Sequence, residues 1–148
     1  MNPPIQPGTV DELAALYRET IVRHAVQPVG YRLDIDASHR GEMFNALCGD
    51  RIEMLLRIET ESIKALAFHG EACAICMASA SLLCEQQVGH PVARLETTHI
   101  ALQGALETPG SELEFESLRP LLGVRAYPSR VKCALLPWEA ALKALDRA

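Results

Sequence analysis

The sequence predicts an α+β fold, with several helices packed against a small antiparallel sheet of about three strands. Apolar residues recur at helical spacing near both ends of the chain, over residues 10–26 and from residue 128 onward. Alternation of apolar and polar residues, interrupted at Leu55, occurs between them at residues 52–59, followed by a short polar turn and a second apolar run. No internal repeat, low-complexity tract or linker interrupts the 148 residues, so one domain over residues 1–148 is expected.

Thr9-Val10-Asp11-Glu12 has the form of a capping box, with Thr9 as N-cap and Glu12 three residues on. Leu13, Leu16, Tyr17, Thr20, Ile21 and His24 follow at helical spacing, so a helix is expected over residues 10–26, ended by Pro28 and Gly30. Residues 28–48 carry weak periodicity and read as a loop or an irregular strand. Ile52, Met54, Leu56 and Ile58 alternate with Glu53, Arg57 and Glu59 as in a half-buried strand. Thr60-Glu61-Ser62 then turns the chain into an antiparallel partner, Ile63–Phe68, which His69-Gly70-Glu71 is expected to break. From Cys73 the composition shifts to Ala, Ser and Leu, a packed helix up to Val88 stopped by Gly89 and Pro91. Pro91 suits the first turn of the next helix, running to about Leu106. A loop at Thr108-Pro109-Gly110-Ser111 precedes a short helix over Glu116–Val124 with Pro120 inside it. The last helix starts at Pro128-Ser129 and continues to about Leu145. Pro137 within it lacks a donor for the carbonyl of Cys133.

Composition excludes several functions. Hydrophobic residues make up 49% and charged ones 22%, as in ordinary globular proteins. A formal charge of −5 without any Lys/Arg block argues against a nucleic-acid or anionic-membrane partner. The longest uncharged stretch, Ala72–Cys84, is too short and too polar to span a bilayer. Met1-Asn2-Pro3-Pro4 carries no basic and apolar leader pattern, so a cytoplasmic location is expected.

Five cysteines are the informative residues. The count is odd and the context reads as reducing, which favours metal binding or thiol chemistry over disulfides. Cys48 and Asp50 flank Gly49, whose tolerance of a tight backbone lets both side chains turn toward one point. Cys73 opens a helix, where the dipole favours a thiolate, and Cys133 lies in the last helix. Three thiolates and one carboxylate make a tetrahedral shell for Zn²⁺, or cap an iron–sulfur cluster with one exchangeable ligand. Isolated cysteines also serve as small core hydrophobes, and spacing alone does not separate the two readings. A third reading takes Cys73-x-x-Cys76 as a thioredoxin-like redox pair, although no βαβ unit precedes it. Cys84 reads as a packing residue, His69 as a surface residue at a strand end, and Asp34 and Asp36 as a solvated loop.

Four stretches carry a resemblance. They are Leu16-Tyr17 through His24, Asn45-Ala46-Leu47-Cys48-Gly49-Asp50, Phe68-His69-Gly70-Glu71-Ala72-Cys73-Ala74-Ile75-Cys76-Met77-Ala78-Ser79-Ala80-Ser81, and Arg130-Val131-Lys132-Cys133-Ala134-Leu135-Leu136-Pro137-Trp138. In that order they resemble the U-type iron–sulfur assembly proteins, the IscU/SufU/NifU N-terminal family, and its SufU branch most. The resemblance implies an IscU/SufU-like α+β fold with Cys48, Asp50, Cys73 and Cys133 converging on one metal or cluster site. Lys132 stands where scaffold-type members have His, and the Cys73–Cys133 interval is long, as in SufU-like zinc-bound sulfur acceptors. Zn²⁺ is then the expected resting occupant, with an iron–sulfur cluster as alternative or transient cargo. The implied partners are a SufS-like cysteine desulfurase, other Suf components and apo iron–sulfur proteins. Cys48, on its glycine loop, is the expected persulfide acceptor. Arg130 is expected to hydrogen-bond Asp50 or a sulfur anion once a ligand leaves. Ala46, Ala72 and Cys76 replace the Pro, Gly and Ser usual in the family.

Overall fold

The computed structural model describes residues 10–146. Its elements in order are α1 (Val10–Val26), β1 (His39–Asn45), β2 (Asp50–Glu59), β3 (Ser62–Glu71), α2 (Ala74–Gln87) and α3 (Val92–Glu107). A 3₁₀ segment (Glu116–Ala126) and a 3₁₀ turn (Pro128–Arg130) then lead into α4 (Val131–Leu145). The α+β expectation holds. The capping box at Thr9 begins outside the described residues.

The sheet has the order β1-β2-β3 and is antiparallel throughout. Thr60 and Glu61 both take positive φ (52° and 64°), which matches the right-handed twist of the two strands they join. Ile52, Met54 and Leu56 are fully buried on β2, as their alternation predicts. β3 does not break at His69. It runs to Glu71, with Ile52 opposite Gly70, where any side chain would collide with the Arg51 carbonyl. The glycine is a close-approach residue inside the strand and not a terminator.

Residues 28–48 divide in two. Around Gly30 the chain lies along the free edge of β3: Phe68 N–H donates to Gly30 O (3.0 Å) and Arg32 N–H to Phe68 O (2.8 Å). The tilted Tyr31 and Phe68 rings, 5.4 Å apart, extend that cover over the sheet edge. Residues 39–45 form β1, whose only buried position is Gly41. The missing side chain there admits the backbone of α4 at Ala140 and Ala144. The core formed between sheet and helices is aliphatic around Trp138 and Phe68.

Two details place the site. The last α-helix starts three residues later than Pro128, so Arg130 is its N-cap residue and Cys133 lies in its first turn. Within α4, Ser79 of α2 donates its hydroxyl to Ala134 O (2.5 Å) and accepts the Trp138 indole N–H (3.0 Å). That buried pair of bonds ties α2 to α4 next to Pro137. The segment with Pro120 is a 3₁₀ helix, the tighter winding, where the sequence suggested only a short helix.

Candidate metal centre

Three chain segments meet at one end of the sheet. The turn between β1 and β2 carries Cys48. Gly49 N–H donates to Asn45 O (2.8 Å), Leu47 N–H donates to Asn45 Oδ1 (3.1 Å), and Gly49 sits at φ +72°. That left-handed backbone is the one glycine supplies cheaply, and it delivers Asp50 buried at the start of β2 with Cys48 exposed beside it. Cys73 is the N-cap residue of α2. Cys133 is buried in the first turn of α4. Two helix N-termini thus border the same cluster.

The Cys48 and Cys133 sulfurs are 3.4 Å apart, and these two sulfurs and an Asp50 oxygen all lie within 4.8 Å of one another. Cys73 adjoins them: its backbone N–H donates to Asp50 Oδ1 (2.8 Å) and its thiol interacts with Asp50 and Cys133. The other carboxylate oxygen, Asp50 Oδ2, is buried without a hydrogen-bond partner. An orphaned anionic oxygen among sulfurs is what a cation would satisfy. The spacing fits too, since thiolates around tetrahedral Zn²⁺, with Zn–S bonds of about 2.3 Å, stand about 3.8 Å apart.

Electrostatics point the same way. Burial pushes the Asp50 carboxyl up, but the Cys73 thiol and N–H, followed by the Cys48 and Cys133 thiols, overcome it and hold the group below its ordinary value. Burial pushes the Cys133 thiol well up, and Cys48, Cys73 and Asp50 add to it. Negative charges packed this closely oppose one another until a cation neutralises them. Arg130, exposed at the rim, is held more firmly protonated by the sulfurs of Cys133 and Cys73.

Cys48 opens onto a groove of ≈ 470 Å³ lined by Leu47, Pro128, Ser129, Arg130 and Lys132. Leu47 is 87% exposed at its lip. The thioredoxin-like reading finds no support: Cys76 is fully buried and burial pushes its thiol far up, so one of the two sulfurs is out of reach. Cys84 is buried in the core, its thiol raised by burial to about 12. His69 pairs across from Glu53 on the sheet, and the exposed Asp36 reaches the half-buried Arg57 (3.5 Å).

Sequence reasoning missed one neighbour of the site. Tyr17 of α1 stacks on Tyr127 (6.2 Å) and lies near enough to Cys73 and Arg130 to feel both charges. Its ring rests on Gly123, where a Cβ would come within 2.5 Å of it. The signal available was Tyr17 itself, which belongs to a motif but carries no metal-ligand chemistry.

A family model described as the NifU-like N terminal domain matches residues 16–145. The chain belongs to the NifU-like N-terminal domain family. Among its relatives, a zinc-dependent sulfurtransferase SufU from Bacillus subtilis is 31% identical over 91% of this chain and 92% of its own. An iron–sulfur cluster assembly scaffold protein IscU from Streptococcus pyogenes is 28% identical over 93% of this chain and 87% of its own. Among solved structures, a candidate cluster assembly scaffold for the SUF system of Fervidobacterium islandicum superposes with a TM-score of 0.74 at 28% identity, covering 88% of this chain and 97% of that one. This member of the family has no described helix long and apolar enough to cross a membrane.

Proposed function

We propose that this NifU-like domain serves iron–sulfur cluster assembly by accepting sulfur from a cysteine desulfurase at a zinc site. Cys48, Asp50, Cys73 and Cys133 would hold the ion. The observation that carries this reading is the 3.4 Å approach of Cys48 and Cys133 beside the partnerless Asp50 oxygen. The relative named a zinc-dependent sulfurtransferase supports the choice of metal. Zinc, when bound, keeps its cysteines as thiolates at neutral pH.

Each residue then has a distinct task. Cys48 is the only exposed sulfur of the set and sits on a turn of four residues, so it is the one that can leave the shell and meet a partner. Its thiolate attacks the outer sulfur of the desulfurase persulfide. The S–S bond of that persulfide breaks, the desulfurase cysteine departs as a thiolate, and Cys48 carries the sulfur away. Arg130, beside the sulfurs, stabilises the persulfide anion through a charge-assisted hydrogen bond. Cys73 and Cys133 stay on their helices, and the Cys73 N–H keeps Asp50 in place. The open groove with Leu47 at its lip receives the cysteine-bearing loop of the desulfurase.

The same donors would also hold a nascent cluster as cargo, a reading favoured by the relative named a scaffold. Metal analysis with an absorption spectrum of anaerobically purified protein separates the two. Colourless protein with one zinc per chain is the expected result. Brown protein with iron and acid-labile sulfide overturns sulfur transfer in favour of scaffolding.

A further inference from the structure

The turn Pro128–Arg130 has no core of its own, since all three of its residues are exposed. Two backbone bonds set its shape: Tyr127 N–H donates to Val124 O (2.8 Å) and Arg130 N–H donates to Tyr127 O (2.8 Å). The residue that leads into it, Tyr127, stacks its ring on Tyr17 of α1, with centroids 6.2 Å apart and planes 28° from parallel. Tyr17 has little room to shift, because its ring fills the space over Gly123 that a Cβ would otherwise take. Gly123, Tyr17 and Tyr127 thus form a layer that ends one residue before Pro128. The proline also restricts the backbone of Tyr127, as it does any residue that precedes it. Pro128, Ser129 and Arg130 then line the groove onto which Cys48 opens.

We propose that Tyr17 and Tyr127 are positioning residues for Arg130: their stack holds the Pro128–Arg130 turn against α1 and so keeps the guanidinium at the Cys48 groove. What Arg130 does there rests on the sulfur-acceptance reading above; its dependence on the two rings does not. Neither ring has to touch sulfur for this. The centroid distance lies in the range of attractive aromatic pairs, and such a pair shifts an equilibrium between two placements about two- to tenfold. Tyr127 is 54% exposed, so the Tyr17 ring covers one side of it while the other meets solvent. Losing that cover frees the turn to lean outward. Arg130 is the N-cap residue of α4, at the boundary between turn and helix, so its charge can leave the groove while the helix that carries Cys133 stays in place.

The test alkylates Cys48 of the full chain with iodoacetate, an anion, and in parallel with neutral iodoacetamide, each rate being read on the Cys48 peptide by mass spectrometry. A general loosening of the fold changes both rates alike, whereas a cation beside the thiol raises only the first, so the ratio of the two reports where Arg130 stands. Arg130→Ala is expected to lower that ratio about fivefold, the effect of one charge at an exposed site. Tyr17→Leu and Tyr127→Leu are expected to lower it about two- to threefold, and Tyr17→Phe, which keeps the ring, to leave it as in the parent. Tyr17→Leu/Arg130→Ala should fall no further than Arg130→Ala alone, because residues that act through one another are not additive. Should Tyr17→Leu not fold, Tyr127→Leu, at a half-exposed ring, carries the same comparison. A parent-like ratio in the leucine variants, an additive double variant, or a fall in Tyr17→Phe equal to that in Tyr17→Leu overturns the inference. Failure of the sulfur-acceptance reading would look different: the ratios would follow this pattern while no sulfur reached Cys48 from the desulfurase.

Discussion

The sulfurs of Cys48 and Cys133 stand 3.4 Å apart although 85 positions separate them in the chain. Nothing local holds them there. Cys48 hangs from the turn after β1, Cys133 sits in α4, and the two meet because α4 lies against β1 with its backbone on Gly41. Gly41→Ala forces the Ala140 and Ala144 backbone away from the strand. The expected cost is about 1–3 kcal/mol of unfolding free energy, read from denaturant titration, together with weaker metal retention. Parent-like values of both would show that α4 is placed by other contacts.

The donor set makes a graded prediction. Cys73→Ala and Cys133→Ala each remove a thiolate held on a helix and should lower zinc content sharply, as should Cys48→Ala. Cys84→Ala, in the core, should not. Elemental analysis of the four purified variants is the check, and equal metal in all of them would remove the site from consideration. Zinc that binds only the folded chain also stabilises it by mass action, so a chelator should lower the melting temperature of the parent.

Ser79 is the bracket between α2 and α4. Ser79→Ala leaves the Trp138 indole N–H without its partner and takes a hydrogen bond from Ala134 O, all in the buried core. A loss of about 1–3 kcal/mol is expected. Because Ala134 follows Cys133, the variant should also release zinc to a chelator faster than the parent. Unchanged stability would mean that the bracket is dispensable.

How much of this was legible in the sequence depends on what each residue type signals. Ile52, Met54 and Leu56 of β2 are buried as the sequence suggests, since burial there is carried by large side chains, and on α1 the described positions Thr20, Ile21 and His24 are buried. β1 was illegible because its one buried residue is Gly41, which has no apolar side chain to register in a hydropathy pattern. Gly70 misled for the opposite reason: read as a breaker, it is the residue that lets β3 pass close to Arg51. At the site, spacing offered three isolated cysteines and left them equally readable as core residues. Their order and flanking residues pointed to a shared centre, through a family pattern. The 3.4 Å approach and the partnerless Asp50 oxygen are properties of the fold and have no sequence signature.

Acid should loosen the joint between α1 and α2. Ser81 Oγ accepts the Val29 N–H (2.8 Å), which leaves its hydroxyl proton for His24 Nδ1 (2.7 Å) on a neutral ring. Burial lowers the His24 pKa, with Glu85 opposing and Arg23 assisting. The unfolded chain, at about 6.5, then binds the proton more readily than the folded one, so stability is full above that value and falls as pH drops below it. His99, lowered by burial, adds to the same slope. The denaturant midpoint of the parent should therefore fall between pH 7.5 and 5.5, and fall less in His24→Gln. Identical slopes for the two would exclude His24 as a contributor.

The central claim is that Cys48 receives sulfur at a site held by Cys73, Cys133 and Asp50. Its most direct test is to incubate the zinc-loaded chain with a cysteine desulfurase and cysteine, then locate added sulfur by peptide mass spectrometry without reductant. The account predicts a mass gain of one sulfur atom on the peptide carrying Cys48, absent when the desulfurase is omitted. Sulfur found on Cys73 or Cys133 with Cys48 unmodified, or no added sulfur on any cysteine, would contradict it.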